Sequence, residues 1–163
     1  MNKFNKLKLK WKLVTGFSLP LILLIIIALT VNSSINRLLH TQERVEHTHE
    51  VIEQGDLIAA ALVDMETGLR GYLITGQNDF LEPYNDGSQK FSGYVQKGKK
   101  LVSDETDQVE RLSKIERLQG EWLHNHIEKV IDLRHQVNEG TATTEQITQF
   151  ILKGLGKSYM DQM

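Results

Sequence analysis

The run LVTGFSLPLILLIIIALTV, residues 13–31, decides how this chain is organised. It contains no charged side chain, and the charge-free stretch continues to Asn36. At 1.5 Å of rise per residue, about 20 apolar residues make a helix that crosses the hydrocarbon core of a bilayer. A cleavable signal peptide would have an apolar region of roughly 7–15 residues ending in small side chains. This run is longer, and Thr30-Val31-Asn32 is a poor cleavage site. A soluble core helix needs one apolar face, not apolarity all the way round. The run therefore reads as an uncleaved transmembrane helix over residues 13–32. Pro20 is tolerated there because neighbouring groups in a membrane can satisfy the freed backbone.

Charge gives the span a direction. Lys3, Lys6, Lys8, Lys10 and Lys12 precede it, whereas all 21 Asp and Glu lie at or beyond Glu43. The net charge of -2 thus joins a basic tip to an acidic remainder. Positive residues stay on the cytoplasmic side. Residues 1–12 are expected to be a cytoplasmic tip, with residues 37–163 periplasmic, anchored in a bacterial inner membrane. Trp11 stands where an interfacial aromatic belt would be. An acidic domain behind a membrane run is no nucleic-acid partner. Zero cysteines exclude disulfides, thiol catalysis and Cys-based zinc sites. Two prolines, few aromatics and no regular strand spacing argue against an all-β sandwich.

Past the span, apolar residues recur at threes and fours. Leu38, Val45, Ile52, Ala59, Leu62 and Leu69 form a heptad-like stripe. A second runs from Val109 through Leu118, Trp122 and Val130 to Val137. A third covers Ile147, Phe150, Ile151, Leu155 and Tyr159, and a less regular one runs from Phe80 to Val102. The breaks are chemically sensible. Gly76 is a left-handed cap for the first helix. Asp79 with Glu82 reads as a capping box, with Pro83 near the helix start. Ser103 to Thr106 supplies a turn and an N-cap, and Asn138-Glu139-Gly140 ends the third helix. Thr143 with Gln146 boxes the start of the fourth. The expected fold is all-α: a transmembrane helix, then an antiparallel four-helix bundle with short loops. The first helix is expected to leave the membrane unbroken, because Asn32 to Arg37 contains neither Gly nor Pro.

One segment departs from plain bundle patterning: Glu66-Thr67-Gly68-Leu69-Arg70-Gly71-Tyr72-Leu73-Ile74-Thr75-Gly76. Gly68 and Gly71 inside a helix cost about 1 kcal/mol each relative to Ala. Glu66 falls on the apolar stripe, and Arg70 four residues later can pair with it along one face. Two readings stand side by side. In one, the glycines allow close helix approach and the ion pair fixes register. In the other, Glu66, Gly68, Arg70, Gly71 and Tyr72 form a signalling or ligand site.

This segment, with its flanks, resembles the extracellular sensor known as the CHASE domain, type 3. The family shows a Val-x-His-Thr start, matched by Val45-Glu46-His47-Thr48. Its Glu-Thr-Gly-x-Arg-Gly-Tyr-Leu-x-Thr-Gly centre is matched by Glu66 to Gly76, with Leu69 where Gln is usual. Its Phe-Leu-x-Pro-Tyr helix start stands here as Phe80 to Tyr84. Its close before a second span resembles Gly156-Lys157-Ser158-Tyr159-Met160-Asp161. The resemblance covers about Leu39 to Met163. It implies a periplasmic helical input domain of a bacterial receptor, feeding a chemotaxis module, a histidine kinase or a diguanylate cyclase. A second span and an output module would be expected beyond Met163. It implies no particular ligand.

Other chemistry is weakly signalled. Glu121-x-x-His124 has the spacing of carboxylate-bridged metal bundles, which need two copies and extra carboxylates. The six histidines, His40, His47, His49, His124, His126 and His135, read as solvated or interfacial. No nucleophile motif or phosphate loop is present, so neither enzyme activity, cofactor nor metal is expected. The sequence points to a sensory input domain that works as a homodimer paired along its first helix, responding to an unidentified small-molecule or protein stimulus. The competing expectation is an anchored structural bundle with no stimulus of its own.

Overall fold

In the computed structural model, residues 9–163 are described; Lys3, Lys6 and Lys8 of the expected basic tip lie outside them. All regular structure among the described residues is helical. Helix α1 spans Leu9–Thr75, with Pro20 inside it. A 3-10 turn, Asn78–Leu81, leads into α2, Glu82–Leu101. Then come α3, Thr106–Trp122, a π-helical turn, Leu123–Ile127, and α4, Glu128–Asn138. Two short helices close the chain: α5, Thr144–Leu152, and α6, Leu155–Met160. The chain divides into two compact units, Met1–His47 and Thr48–Met163.

The first unit holds the apolar part of α1. It is long and apolar enough to cross a membrane, and none of its most apolar window is buried. Phe17, Leu21 to Ile27 and Leu29 are all exposed. Such a continuous bare apolar surface does not belong in water.

The second unit has its own core. Ile58, Ala61, Leu62, Met65 and Leu69 of α1 meet Phe91 and Val95 of α2, Trp122 of α3, Ile127, Val130 of α4 and Ile147 of α5. The α1–α2 contact is set by three glycines. A Cβ on Gly98 would stand 3.5 Å from Gln54, one on Gly87 would stand 2.5 Å from the Ala61 carbonyl, and one on Gly68 would stand 2.5 Å from the Tyr84 nitrogen. Residue numbers thus fall along α2 as they rise along α1. Gln54, fully enclosed, donates its amide to the Tyr94 carbonyl at 3.0 Å. That bond satisfies a buried polar group which would otherwise cost about 1–3 kcal/mol.

Several boundaries follow local chemistry. Gly76 stops α1 at φ 71°, and its N–H donates to the Tyr72 carbonyl at 2.7 Å. Gly140 turns the chain after α4 at φ 77°. Pro83 sits in the first turn of α2. Gln146 Oε1 accepts the Thr143 N–H at 2.8 Å, closing the expected box at α5.

Other boundaries differ from the sequence expectation. Asp79 and Glu82 form no capping box: a 3-10 turn occupies that place, and Leu81 is the N-cap of α2 without a side-chain bond. Glu105, not a hydroxyl, precedes α3, again without a side-chain cap. The third helix is interrupted by the π turn. The fourth is split at Gly154, whose φ of 71° is the left-handed conformation that Gly adopts freely. The α1 stripe also divides. Leu62 and Leu69 are buried, but Leu38, Val45, Ile52 and Ala59 are exposed. The buried face runs instead through Gln54, Ile58, Ala61, Met65 and Tyr72.

Candidate functional site: a cleft beside the π turn

Residues 66–75 of α1, with Gly76 after them, face two neighbours. Gly68 lies against Tyr84 and Phe80, and Gly71 against the Phe80 ring, where a Cβ would approach Cδ1 to 2.7 Å. Both glycines let the start of α2 sit directly on the α1 backbone. Tyr72, in the last turn of α1, is completely buried. Its hydroxyl meets His135 Nδ1 of α4 at 3.0 Å, with ring centroids 5.5 Å apart. Burial pushes the Tyr72 phenol up, partly opposed by the positive charge of Arg134. Arg134 is itself 8% exposed. It packs against Gly76, whose carbonyl accepts from Asn138 Nδ2 at 2.9 Å. Gly76, Tyr72, Arg134, His135 and Asn138 thus tie the end of α1 to α4.

Glu66 and Arg70 point elsewhere. Arg70 Nη2 donates to Glu66 Oε1 at 2.5 Å, so the pair expected from their spacing is made. It is not packed inside, however: the Arg70 side chain is 70% exposed. The face carrying Arg70 looks outward because Leu69 and Tyr72 take the buried positions on either side. An exposed i,i+4 pair of this kind contributes only about 0.3–0.5 kcal/mol.

This pair forms one lip of a cleft of about 400 Å³. Leu69 and Leu73 of α1, Trp122, His126 and Ile151 line it, and α6 supplies Gly156, Lys157, Met160 and Asp161. Lys157 pairs with Asp161 on the α6 side. The cleft is therefore apolar inside and carries one self-paired cation and anion on each lip. Its size falls in the range of small-molecule sites.

The π turn shapes the cleft wall. It brings His126 and Ile127 both into buried positions, four and five residues after buried Trp122. His126 stacks on Phe150 with centroids 5.4 Å apart, and Gly156 passes close against its ring. Burial pushes the His126 imidazole below its ordinary range, so it is neutral near pH 7. Two buried nitrogens here, Trp122 Nε1 and His126 Nδ1, have no hydrogen-bond partner among the described residues. Buried polar atoms without partners are rare, and π turns recur at functional sites. Asn125 Nδ2 donates to the Tyr159 hydroxyl at 3.0 Å and fastens α6 beside the turn.

Of the candidate residues expected from the sequence, Glu66 and Arg70 border the cleft. Gly68, Gly71 and Tyr72 serve helix contacts instead. The sequence marks Trp122 only as a stripe member and His126 only as a solvated or interfacial histidine. The one signal for them was the step from Trp122 to His126 to Ile127, which an unbroken helix would present differently. His124, of the metal-like Glu-x-x-His spacing, contacts Glu128 at 3.1 Å.

A family model described as the CHASE3 domain matches residues 41–163. The chain belongs to the CHASE3 family. CHASE3 domains are sensory domains of bacterial signalling receptors, so the second unit of this chain is a sensory module. The matched range includes the glycine contacts, the Tyr72–His135 pair and the whole cleft of this CHASE3 domain. No characterised protein and no solved structure gives a significant match to the chain.

Proposed function

We propose that this chain is the membrane-anchored, extracytoplasmic sensory input of a bacterial receptor of the chemotaxis or sensor-kinase type. The carrying observation is the CHASE3 match over residues 41–163, next to an α1 segment apolar enough to span a bilayer. The basic residues before the span support a cytoplasmic N-terminus. Contacts between α1 and α2, α2 and α3, and α4 and α1 support an antiparallel four-helix arrangement. The exposed Val45, Ile52, Val63 and Ile74 on α1 support pairing of two copies along that helix.

The mechanism follows from α1 carrying both features. Its span lies in the same helix as Glu66 to Leu73, which border the cleft. A stimulus that favours one packing of α6 and the π turn against α1 biases the position of α1 itself. Only differential affinity for the two packings drives such a change.

The test uses the absence of native cysteine. The chain is joined to a second span and a kinase output, and Ile52→Cys is introduced. The expected result is a disulfide-linked dimer whose output is fixed at one level. An output that ignores both this cross-link and removal of residues 48–163 would sink the proposal and leave a structural bundle.

A further inference from the structure

The rim of the cleft carries four charged residues, two of each sign: Glu66 and Arg70 on α1, Lys157 and Asp161 on α6. Each lip therefore has no net charge, and neither has the rim as a whole. Water reaches all four, since Arg70, Lys157 and Asp161 are largely exposed and Glu66 is half-buried. Each ion pair engages one atom of each partner, Arg70 Nη2 with Glu66 Oε1 and Lys157 Nζ with Asp161 Oδ2. The guanidinium and the ammonium have further N–H donors, and each carboxylate has a second oxygen. A ligand can thus gain bonds at the rim without breaking either pair. Between the lips the wall is apolar and within reach: Ile151 is 45% exposed, and Leu73 and Met160 are half-buried.

This combination sorts ligands by charge. A ligand of a single sign meets a like charge beside every opposite one, on both lips. A neutral apolar molecule covers the wall and leaves the rim unused. A zwitterion presents both signs and is neutral overall, as the rim is.

We propose that this cleft binds a compact zwitterion with an apolar side chain, that is, an aliphatic α-amino acid. Its carboxylate meets Arg70 and Lys157, its ammonium meets Glu66 and Asp161, and its side chain covers Leu73, Ile151 and Met160. Because its charges engage α1 and α6 together, the ligand prefers the packing in which the two helices are close. This deepens the sensory reading above and rests on it for its consequence, though not for the binding itself.

Binding is measured by ligand-detected NMR on the full chain in lipid nanodiscs, with empty nanodiscs as the blank. The probes are L-leucine; 4-methylpentanoate, which lacks the ammonium; 3-methylbutylamine, which lacks the carboxylate; and glycine, which lacks the side chain. Leucine is expected to bind about fivefold more tightly than either singly charged analogue, a difference that charge contacts open to water supply. It is also expected to bind more tightly than glycine, which covers none of the apolar wall. Glu66→Gln with Asp161→Asn should let 4-methylpentanoate bind at least as tightly as leucine, and Arg70→Gln with Lys157→Gln should do the same for 3-methylbutylamine. Ile151→Trp, which fills the cleft, should abolish leucine binding. Equal or tighter binding of a singly charged analogue or of glycine to the unaltered chain would overturn the inference, as would leucine binding that survives Ile151→Trp. Because the unaltered chain carries the decisive comparison, poor folding of a variant does not rescue the idea. If the leucine preference is missing while the Ile52→Cys cross-link still fixes the output, only the ligand class falls. If the output ignores the cross-link, the sensory reading falls whatever binds.

Discussion

Tyr72 Oη and His135 Nδ1 lie 3.0 Å apart although 63 residues separate them in sequence. Tyr72 is wholly buried while His135 is exposed, so the bond joins a core side chain to the surface of α4. Tyr72→Phe keeps the ring and deletes the bond. Water can reach His135 in its place, so the loss should be about 0.5–1.5 kcal/mol. Denaturant unfolding of Tyr72→Phe, His135→Ala and the double variant measures it. A coupling energy of zero in that cycle would show that the bond contributes nothing.

Glycines of α1 and α2 should respond to alanine with opposite signs. At Gly68 an added Cβ meets backbone at 2.5 Å, whereas at Gly93 nothing lies within 4 Å. Gly93→Ala should stabilise by about 0.5–1 kcal/mol through helix propensity. Gly68→Ala gains the same propensity but forces α1 and α2 apart, and overpacking of this kind typically costs about 1–3 kcal/mol. Unfolding midpoints that rise for both variants would contradict the close approach.

How much of this was legible in the sequence depends on how local each signal is. Gly76, Gly140, Pro83 and the Thr143–Gln146 box act within one turn, and each stands where its chemistry put it. The apolar run was legible by length alone. The π turn was not, because a stripe from Val109 to Val137 survives the slip of a single residue. Gly154 does not stand out in the sequence because the apolar residues around it keep helical spacing. Arg70 shows the limit most clearly. Its spacing from Glu66 predicts the pair, but which face of α1 meets the core is fixed by Gly68, Gly87 and their distant partners. For the same reason Trp122 and His126 are ordinary in sequence, since their surroundings come from α5 and α6.

Acid should weaken this domain through His126. Burial holds its imidazole below the ordinary value of about 6.5, so the unfolded chain takes up the proton first. Stability is fully present above that value and is lost as pH falls from it towards the folded-state value. His126→Phe, which keeps a ring against Phe150, should flatten this part of the profile. Unfolding midpoints between pH 7.5 and pH 5 test it. An equally steep profile in the variant would assign the acid sensitivity elsewhere.

Glu116 acts at lower pH. The Lys99 ammonium, 2.7 Å away, holds its carboxyl below the usual range, with Gln96 adding a further hydrogen bond. Its contribution is present above the unfolded carboxylate value, about 4.3, and disappears as pH falls through the folded one. Glu116 is more than one-third exposed, so solvent screening keeps the pair to at most about 1 kcal/mol. Lys99→Gln should be destabilised at pH 7 and match the unaltered chain near pH 2. A difference that persists in acid would mean that packing of the Lys99 stem, not the pair, is responsible.

The π turn at Leu123–Ile127 also sets how this domain tolerates changes in length. Removing one residue from an ordinary helix rotates everything downstream by about 100° and turns its core face to solvent. A π turn already holds a surplus residue relative to α-helix. A single deletion inside it would tighten the turn to α-helix while α3 and α4 keep their phase. Leu118 and Val130 would stay inward, and the cost would fall on the wall around His126. This is the point in the long second stripe where the chain should lose one residue and still fold, at the expense of the cleft.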